Sequence, residues 1–508
     1  MINSAFQRSI ATFFFLIGVG IQSQLFAQRK SLPNIVFILM DDLGYGDVSI
    51  LNPNSKIQTP HIDAIGKQGI VFTDAHSNSS VCTPTRYGIL TGRYCWRTSL
   101  QQGVLDGYSE PLIPNDRLTI ASMLKLYHYS TACIGKWHLG WSWAKKAGSP
   151  EAVDFGRPIL NGPLSIGFDY FYGFSGSLDM PPYVYVENNR PVSIPTRMTE
   201  NPSKLHFWRK GETSADFDHE QCLPFLTKKA ISYIEEKSSA KDPFFLYYAM
   251  PAPHTPILPA EEFKGKSGLG DYGDYVMEID HLVGEIVKAL KERKIFENTM
   301  LIIASDNGCS PAAGTIELEK LGHFPSAQFR GYKADIFDGG HRVPFIINWP
   351  AKVKSGRINN QLICTTDFMA TFAEMTALKL EDNQGEDSFS FYSGLIQESP
   401  QKRHREDIVH HSYYGNFSIR KDNWKLLLTP YSGGWSYPQQ WVVDAVAQKL
   451  PAFQLFNLKA DIGEKNNVMN EYPGKVKELK KIMMKYISNG RSTPGKLQKN
   501  DVPVNTHF

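Results

Sequence analysis

The chain has 508 residues, 42% hydrophobic and 21% charged, with a net charge of +3. This is ordinary globular composition in a length that exceeds what one hydrophobic core serves, so one large domain and a smaller one are expected. The small net charge, with no Lys/Arg-rich stripe, excludes nucleic acid as the expected partner.

In chain order, Arg8 precedes the apolar run 10–21 (IATFFFLIGVGI), and Ala27 offers a small residue before a cut. That pattern is a signal peptide over 1–27, with a run too short to span a bilayer comfortably. No Cys follows the cut to carry a lipid, and no later stretch has the apolar length of a membrane span. The mature chain is therefore expected to be soluble and free of the membrane after cleavage, either periplasmic or secreted.

Strand-like and helix-like segments then alternate. NIVFILM (34–40) is a buried-strand pattern, LTIASMLKL (118–126) a helix, YSTACI (129–134) a strand and DPFFLYYAM (242–250) another strand. Met277, Ile279, Leu282, Val283, Ile286, Val287 and Leu290 recur at helical spacing, and NTMLIIA (298–304) returns as a strand. Such alternation predicts an α/β fold with a mostly parallel central sheet flanked by helices. The stretch 378–407 is polar and reads as a long connection. Beyond it, paired strands turning at Lys421-Asp422-Asn423 and an amphipathic segment over 473–490 predict a smaller antiparallel sheet-plus-helix subdomain. The expected division is a catalytic domain over 32–380 and a C-terminal subdomain over 400–490.

The chemistry gathers after the strands. NIVFILM runs into Asp41-Asp42, YSTACI into Gly135-Lys136-Trp137-His138, DPFFLYYAM into a loop with His254, and MLIIA into Ser305-Asp306-Asn307-Gly308. Ligands of open parallel sheets bind outside the carboxyl ends of the strands, so these segments should converge on one crevice. Each also has a plain reading: Asp306-Asn307-Gly308 alone looks like a hairpin turn, and Asp41-Asp42 like a solvated one. Read together, Asp41, Asp42, Asp306 and Asn307 supply only oxygen ligands, which suits Ca²⁺ or Mg²⁺ and disfavours zinc. Arg86, Lys136, His138 and His254 supply positive or donor groups for an oxyanion. Cys82 stands where a helix should begin, with Pro84 at an early position, so a negative charge there should be favoured. The six cysteines (82, 95, 133, 222, 309 and 364) are scattered without C-x-x-C spacing, which excludes a disulfide scaffold; if Cys82 has a chemical task, the odd remainder cannot all pair.

The segment SVCTPTRYGILTG, with its Cys-x-Pro-x-Arg core, resembles the signature of the type I, formylglycine-dependent sulfatases of the alkaline phosphatase superfamily. YSTACIGKWHLG resembles their second signature, except that His128 stands where a glycine commonly precedes it. FILMDDLGYGD, APHTP, SDNG and FRGYKADIFDGGHRVPFIINWP also look like the family, and the likeness runs in order from about residue 32 to about 480. It implies an alkaline-phosphatase-like core, Ca²⁺ held by Asp41, Asp42, Asp306 and Asn307 together with residue 82, and a maturation enzyme that oxidises Cys82 to formylglycine. It further implies that Arg86 steadies the hydrated aldehyde, Lys136 and Lys333 neutralise sulfate oxygens, His254 protonates the leaving alcohol and His138 takes the proton that lets sulfate leave. The aldehyde matters because a thiol attacking sulfate would be trapped as an ester, whereas a hydrate can expel it.

Overall likeness points to exo-acting removal of 6-O-sulfate from N-acetylgalactosamine or galactose in chondroitin-type glycans. Three alternatives stay open from sequence: a sulfatase acting on another sulfated polysaccharide or position, a phosphatase or phosphonate monoester hydrolase on the same fold, and a catalytically silent glycan-binding protein.

Overall fold

The computed structural model describes residues 32–397 and 404–506, so the expected signal peptide lies outside the described residues. The architecture is a ten-stranded sheet with helices on both faces. Its middle is five parallel strands, in the order Thr299–Ser305, Asn34–Asp41, Phe244–Pro253, Ser130–Lys136 and Tyr170–Phe174. Short antiparallel strands extend both edges, among them Phe345–Asn348 and Val186–Glu187.

The central strands are apolar throughout because both faces are covered. Side chains alternate along them: Ile35, Phe37 and Leu39 enter one core, and Val36, Ile38 and Met40 the other. The first core is closed by the helices Cys82–Thr91, Ile120–Lys125 and Phe368–Thr376, the second by Cys222–Lys237 and Gly270–Glu292. In the helix Gly270–Glu292, Ile279, Val283, Ile286 and Leu290 of the helically spaced set are buried, and Met277, Leu282 and Val287 are half-buried at its margins. Phe37 packs against Tyr247 and Phe368 at 5.5 and 4.7 Å between ring centroids, locking two strands and a helix together behind the strand ends. Truncating it to alanine should cost about 3–5 kcal/mol.

The strands expected near 34–40, 129–134, 242–250 and 298–304 are present as Asn34–Asp41, Ser130–Lys136, Phe244–Pro253 and Thr299–Ser305. His128, which replaces the family's glycine, has φ +63°, a left-handed conformation that glycine adopts freely and histidine tolerates. That conformation explains the glycine and locates the departure in a turn before the strand.

A four-stranded antiparallel sheet follows, ordered as in the sequence: Asp407–His411, Phe417–Lys421, Trp424–Leu427 and Gln454–Asn457. Lys421 faces Trp424 across the tight turn, with Asp422 left-handed at φ +53°. The last helix, Pro473–Asn489, buries Leu479 and Met483 against this sheet and ends at left-handed Gly490. The sheet is tied to the main body by the Ser80 N–H donating to the His411 carbonyl at 3.1 Å, and by Lys425 between Asp338 and Glu464 at 2.7 and 2.8 Å.

The connection read as polar from sequence is partly internal. Asp387 is fully buried and accepts two hydrogen bonds from Arg97, both at 2.8 Å. Cys82, Cys95, Cys133, Cys222, Cys309 and Cys364 are all buried and unpaired. Among the described residues no helix is long and apolar enough to cross a membrane.

Candidate active site

The four segments singled out by sequence meet at the carboxyl ends of adjacent parallel strands. Asp41 ends one strand, Lys136 its second neighbour, Ser305 another, and His254 directly follows Pro253. The chain then turns sharply. Asp42 sits at φ +70°, and its N–H donates to Asp306 Oδ1 at 3.2 Å. A left-handed aspartate is held there because its neighbours over-determine it. At the other aspartate, Gly308 is required by space, since a Cβ there would lie 1.9 Å from the Gly339 carbonyl oxygen.

Three carboxylates face three permanent cations at the centre. Arg86 grips Asp306 Oδ2 through Nε at 3.0 Å and a terminal nitrogen at 2.7 Å. Lys136 Nζ donates to Asp41 at 2.6 Å, and Lys333 Nζ to Asp42 at 2.8 Å. All six residues are buried. Burial pushes Asp41 up, but Lys136, His254, Arg86 and Lys333 together outweigh it and hold the carboxyl well below its usual range. Asp306 goes the other way: burial and the adjacent Asp41 charge push it up to about 6, against Arg86 and Lys136.

The site fits a hard divalent cation. Asp41 Oδ1 and Asn307 Oδ1 are buried oxygens with no hydrogen-bond partner, a costly state that a cation would relieve. Asn307 Nδ2 donates to Asp42 Oδ1 at 2.7 Å, which turns its oxygen to the other side. An all-oxygen set drawn from Asp41, Asp42, Asp306 and Asn307 suits Ca²⁺.

Cys82 is the first residue of the helix Cys82–Thr91 and is 2% exposed. One atom each from Asp41, Cys82 and Asp306 lie within 4.8 Å of one another. Burial pushes its thiol up despite Lys136 and Lys333, so the anion expected from the helix start is not what the surroundings favour. A neutral thiol is a poor nucleophile. His254 Nδ1 donates to the Thr255 carbonyl at 2.6 Å, and its Nε2 lies 3.8 Å from Asp42. His138 Nε2 donates to the Leu105 carbonyl at 2.7 Å.

With this arrangement in place, the comparison with known families is decisive: the family model described as Sulfatase matches residues 33–378. The chain belongs to the sulfatase family. A second model, N-sulphoglucosamine sulphohydrolase, C-terminal, matches residues 332–492 of this sulfatase. It is 34% identical to an N-acetylgalactosamine-6-O-sulfatase of Bacteroides thetaiotaomicron, over 90% of this chain and 93% of that one. It is 31% identical to a mouse N-acetylgalactosamine-6-sulfatase, over 68% of this chain and 63% of that one. A solved 6S-sulfatase structure, from work on glycosaminoglycan metabolism by Bacteroides thetaiotaomicron, superimposes with a TM-score of 0.78 at 32% identity, covering 90% of this chain and 99% of that one. The sulfatase is a sulfuric ester hydrolase, which sets aside the phosphatase and silent-binder alternatives.

Two residues beside the candidate site do not follow from the sequence. Ser177 Oγ accepts from Lys136 Nζ at 3.1 Å and lies 3.4 Å from the His254 ring. Asp179 Oδ1 lies 4.0 Å from His254 Nδ1, and its other oxygen pairs with Arg209. Both belong to GFSGSLDMPPYVYVENNRP (173–191), which carries no signature. The available signal was positional: the segment leaves the strand Tyr170–Phe174, which is parallel to Ser130–Lys136 and ends at the same edge.

Proposed function

We propose that this sulfatase removes 6-O-sulfate from terminal N-acetylgalactosamine or galactose of chondroitin-type glycans, in the periplasm or outside the cell, using Ca²⁺ and a formylglycine made from Cys82 by a maturation enzyme. The choice of sugar rests on the named activity of the Bacteroides relative, matched over 90% of this chain. The mechanism rests on Cys82 standing within 4.8 Å of Asp41 and Asp306.

Asp41, Asp42, Asp306 and Asn307 would hold Ca²⁺, whose positive charge would acidify an adjacent hydroxyl and neutralise sulfate oxygens. An aldehyde at residue 82, once hydrated, supplies that hydroxyl and a second one. Lys136 and Lys333 face the charge that develops on sulfate, worth more in a buried site than in water. Arg86, held on Asp306, steadies residue 82. His254, protonated at Nε2, gives a proton to the leaving sugar oxygen, and His138 Nδ1 accepts one as sulfate departs.

The test is released sulfate from defined saccharides side by side. Faster release from 6-O-sulfated galactose or N-acetylgalactosamine than from 2-O- or 4-O-sulfated counterparts, or 6-O-sulfated glucosamine, is expected. A clear preference for any of the latter overturns the substrate. Peptide mass spectrometry at residue 82 should find the aldehyde in proportion to activity, with Cys82→Ala inactive; active enzyme with an intact thiol overturns the mechanism.

A further inference from the structure

The C-terminal sheet does more than close one side of the molecule. The Tyr413 N–H donates to the Ala334 carbonyl at 3.1 Å, next to Lys333, and the Tyr413 carbonyl accepts from the Gly103 N–H at 2.7 Å. Gly103 lies in the loop whose Leu105 carbonyl holds His138. Tyr413 therefore joins the two loops that bring Lys333 and His138 to the site. Four rings form a run that includes it: Trp435 to Tyr413 at 5.4 Å, Tyr413 to Tyr414 at 5.0 Å, and Tyr414 to Trp441 at 5.9 Å. The first three are half-buried, and Trp441 is 75% exposed.

Trp441 is followed along the chain by the exposed side chains of Val442 and Val446. Exposed apolar side chains grouped on one short segment mark a place of interaction. Next to Trp441 is a cleft of about 760 Å³, also lined by Asn416, Tyr431 and Lys449. Asn416 Oδ1 is buried there without a hydrogen-bond partner. The nearby acid, Asp444, is turned onto the N–H groups of Val446 and Ala447 at 3.0 Å each, away from Lys449.

We propose that the Trp435–Tyr413–Tyr414–Trp441 run and the cleft beside it form a subsite for the sugars adjoining the sulfated one in an anionic glycan chain. This rests on the reading that the substrate is a sulfated glycan. The exposed indole of Trp441, propped edge-on by Tyr414, offers flat apolar surface with a polar edge, which suits the CH face of a pyranose and its hydroxyls. Asn416 lines the cleft with a polar side chain, and Lys449 offers a partner for a carboxylate or sulfate. The run starts beside Lys333, through the Tyr413 N–H on the Ala334 carbonyl, and ends at exposed Trp441.

The experiment compares a 6-O-sulfated monosaccharide with a tetrasaccharide ending in the same sulfated sugar, for wild type and Trp441→Ala. The ratio of kcat/KM for tetrasaccharide over monosaccharide should fall about tenfold (~1.4 kcal/mol), through KM. Because Trp441 is largely exposed, its removal leaves few packing contacts to lose, and thermal melting checks this. Titration calorimetry with the same tetrasaccharide lacking sulfate gives a second readout independent of turnover, and Trp441→Ala and Asn416→Ala should both weaken binding. An unchanged ratio with unchanged binding overturns the subsite, as does an equal loss on both saccharides. If wild type releases sulfate from neither saccharide, the substrate reading fails, and calorimetry alone decides the subsite: binding lost in Trp441→Ala supports it, and equal or no binding overturns it.

Discussion

The Nε2–H of His138 donates to the Leu105 carbonyl at 2.7 Å, and that bond assigns the work of the other ring nitrogen. Nδ1 is left as the acceptor, buried and without a partner. Burial first, then Lys136 and Arg86, hold the imidazole well below its ordinary pKa, so the ring stays neutral and ready to take a proton at ordinary pH. His138→Ala should slow turnover by roughly 10²–10⁴-fold. If the base acts in the second half of the reaction, one equivalent of alcohol is released in a rapid burst, and sulfate remains bonded to the peptide containing residue 82. Slow alcohol release with no burst would place His138 in the first half instead.

For the metal, the prediction concerns how the ligand is removed. From sequence alone, Asp306→Ala is expected to abolish Ca²⁺ binding and leave the fold intact. The structure revises this, because Asp306 also carries Arg86 on two hydrogen bonds and the Asp42 N–H on a third. Deleting it strands a fully buried guanidinium, which should cost about 3–5 kcal/mol. Asp306→Asn keeps an oxygen and should cost less. Both variants should lose bound calcium, measured by elemental analysis, along with activity; full activity in a calcium-free variant would sink the ligand set.

A third expectation concerns pH and stability away from the site. Glu278 is 2% exposed within the helix Gly270–Glu292, and burial, against one hydrogen bond from the Ala260 N–H, pushes it up from 4.5 to about 7. A carboxyl with a raised folded-state pKa stabilises the fold in its protonated form. That contribution is complete below about pH 4.5 and is lost as pH rises through about 7. Glu278→Gln should therefore melt close to wild type at pH 5 and increasingly above it towards pH 8. A constant offset across that range would mean that the carboxyl does not titrate there.

The fourth prediction comes from a stretch whose polarity misled. Asp387→Ala should destabilise the protein by about 3–5 kcal/mol, because Arg97 would remain buried without its partner; a loss below 1 kcal/mol in denaturant unfolding would contradict the buried pair.

That stretch shows where sequence stops being informative. Period-two and helical spacing reveal local burial, so the central strands and the helix Gly270–Glu292 are legible, and the rule that ligands sit at the carboxyl ends of parallel strands locates Asp41, Lys136, His254 and Asp306. Asp387 is internal only because Arg97, 290 positions earlier, neutralises it, a pairing that leaves no trace in local composition. Ser177 and Asp179 were missed for a similar reason. Their segment follows a five-residue strand and has no periodicity, and their place beside Lys136 and His254 is set by sheet pairing alone.

Under the maturation proposed for residue 82, the burial of Cys82 sets an order of events. A side chain with 2% of its surface accessible, at the start of a helix packed behind a ten-stranded sheet, offers no approach to a second protein. An oxidising enzyme that needs to clasp the surrounding Cys-Thr-Pro-Thr-Arg segment has to reach it while the chain is still open. Under the proposed maturation, oxidation and folding would be in a race, and the specific activity of a preparation would report how many chains were caught in time. A host that folds this protein too quickly, or supplies too little of such an enzyme, would then yield well-folded molecules with no usable nucleophile, beyond repair unless unfolded.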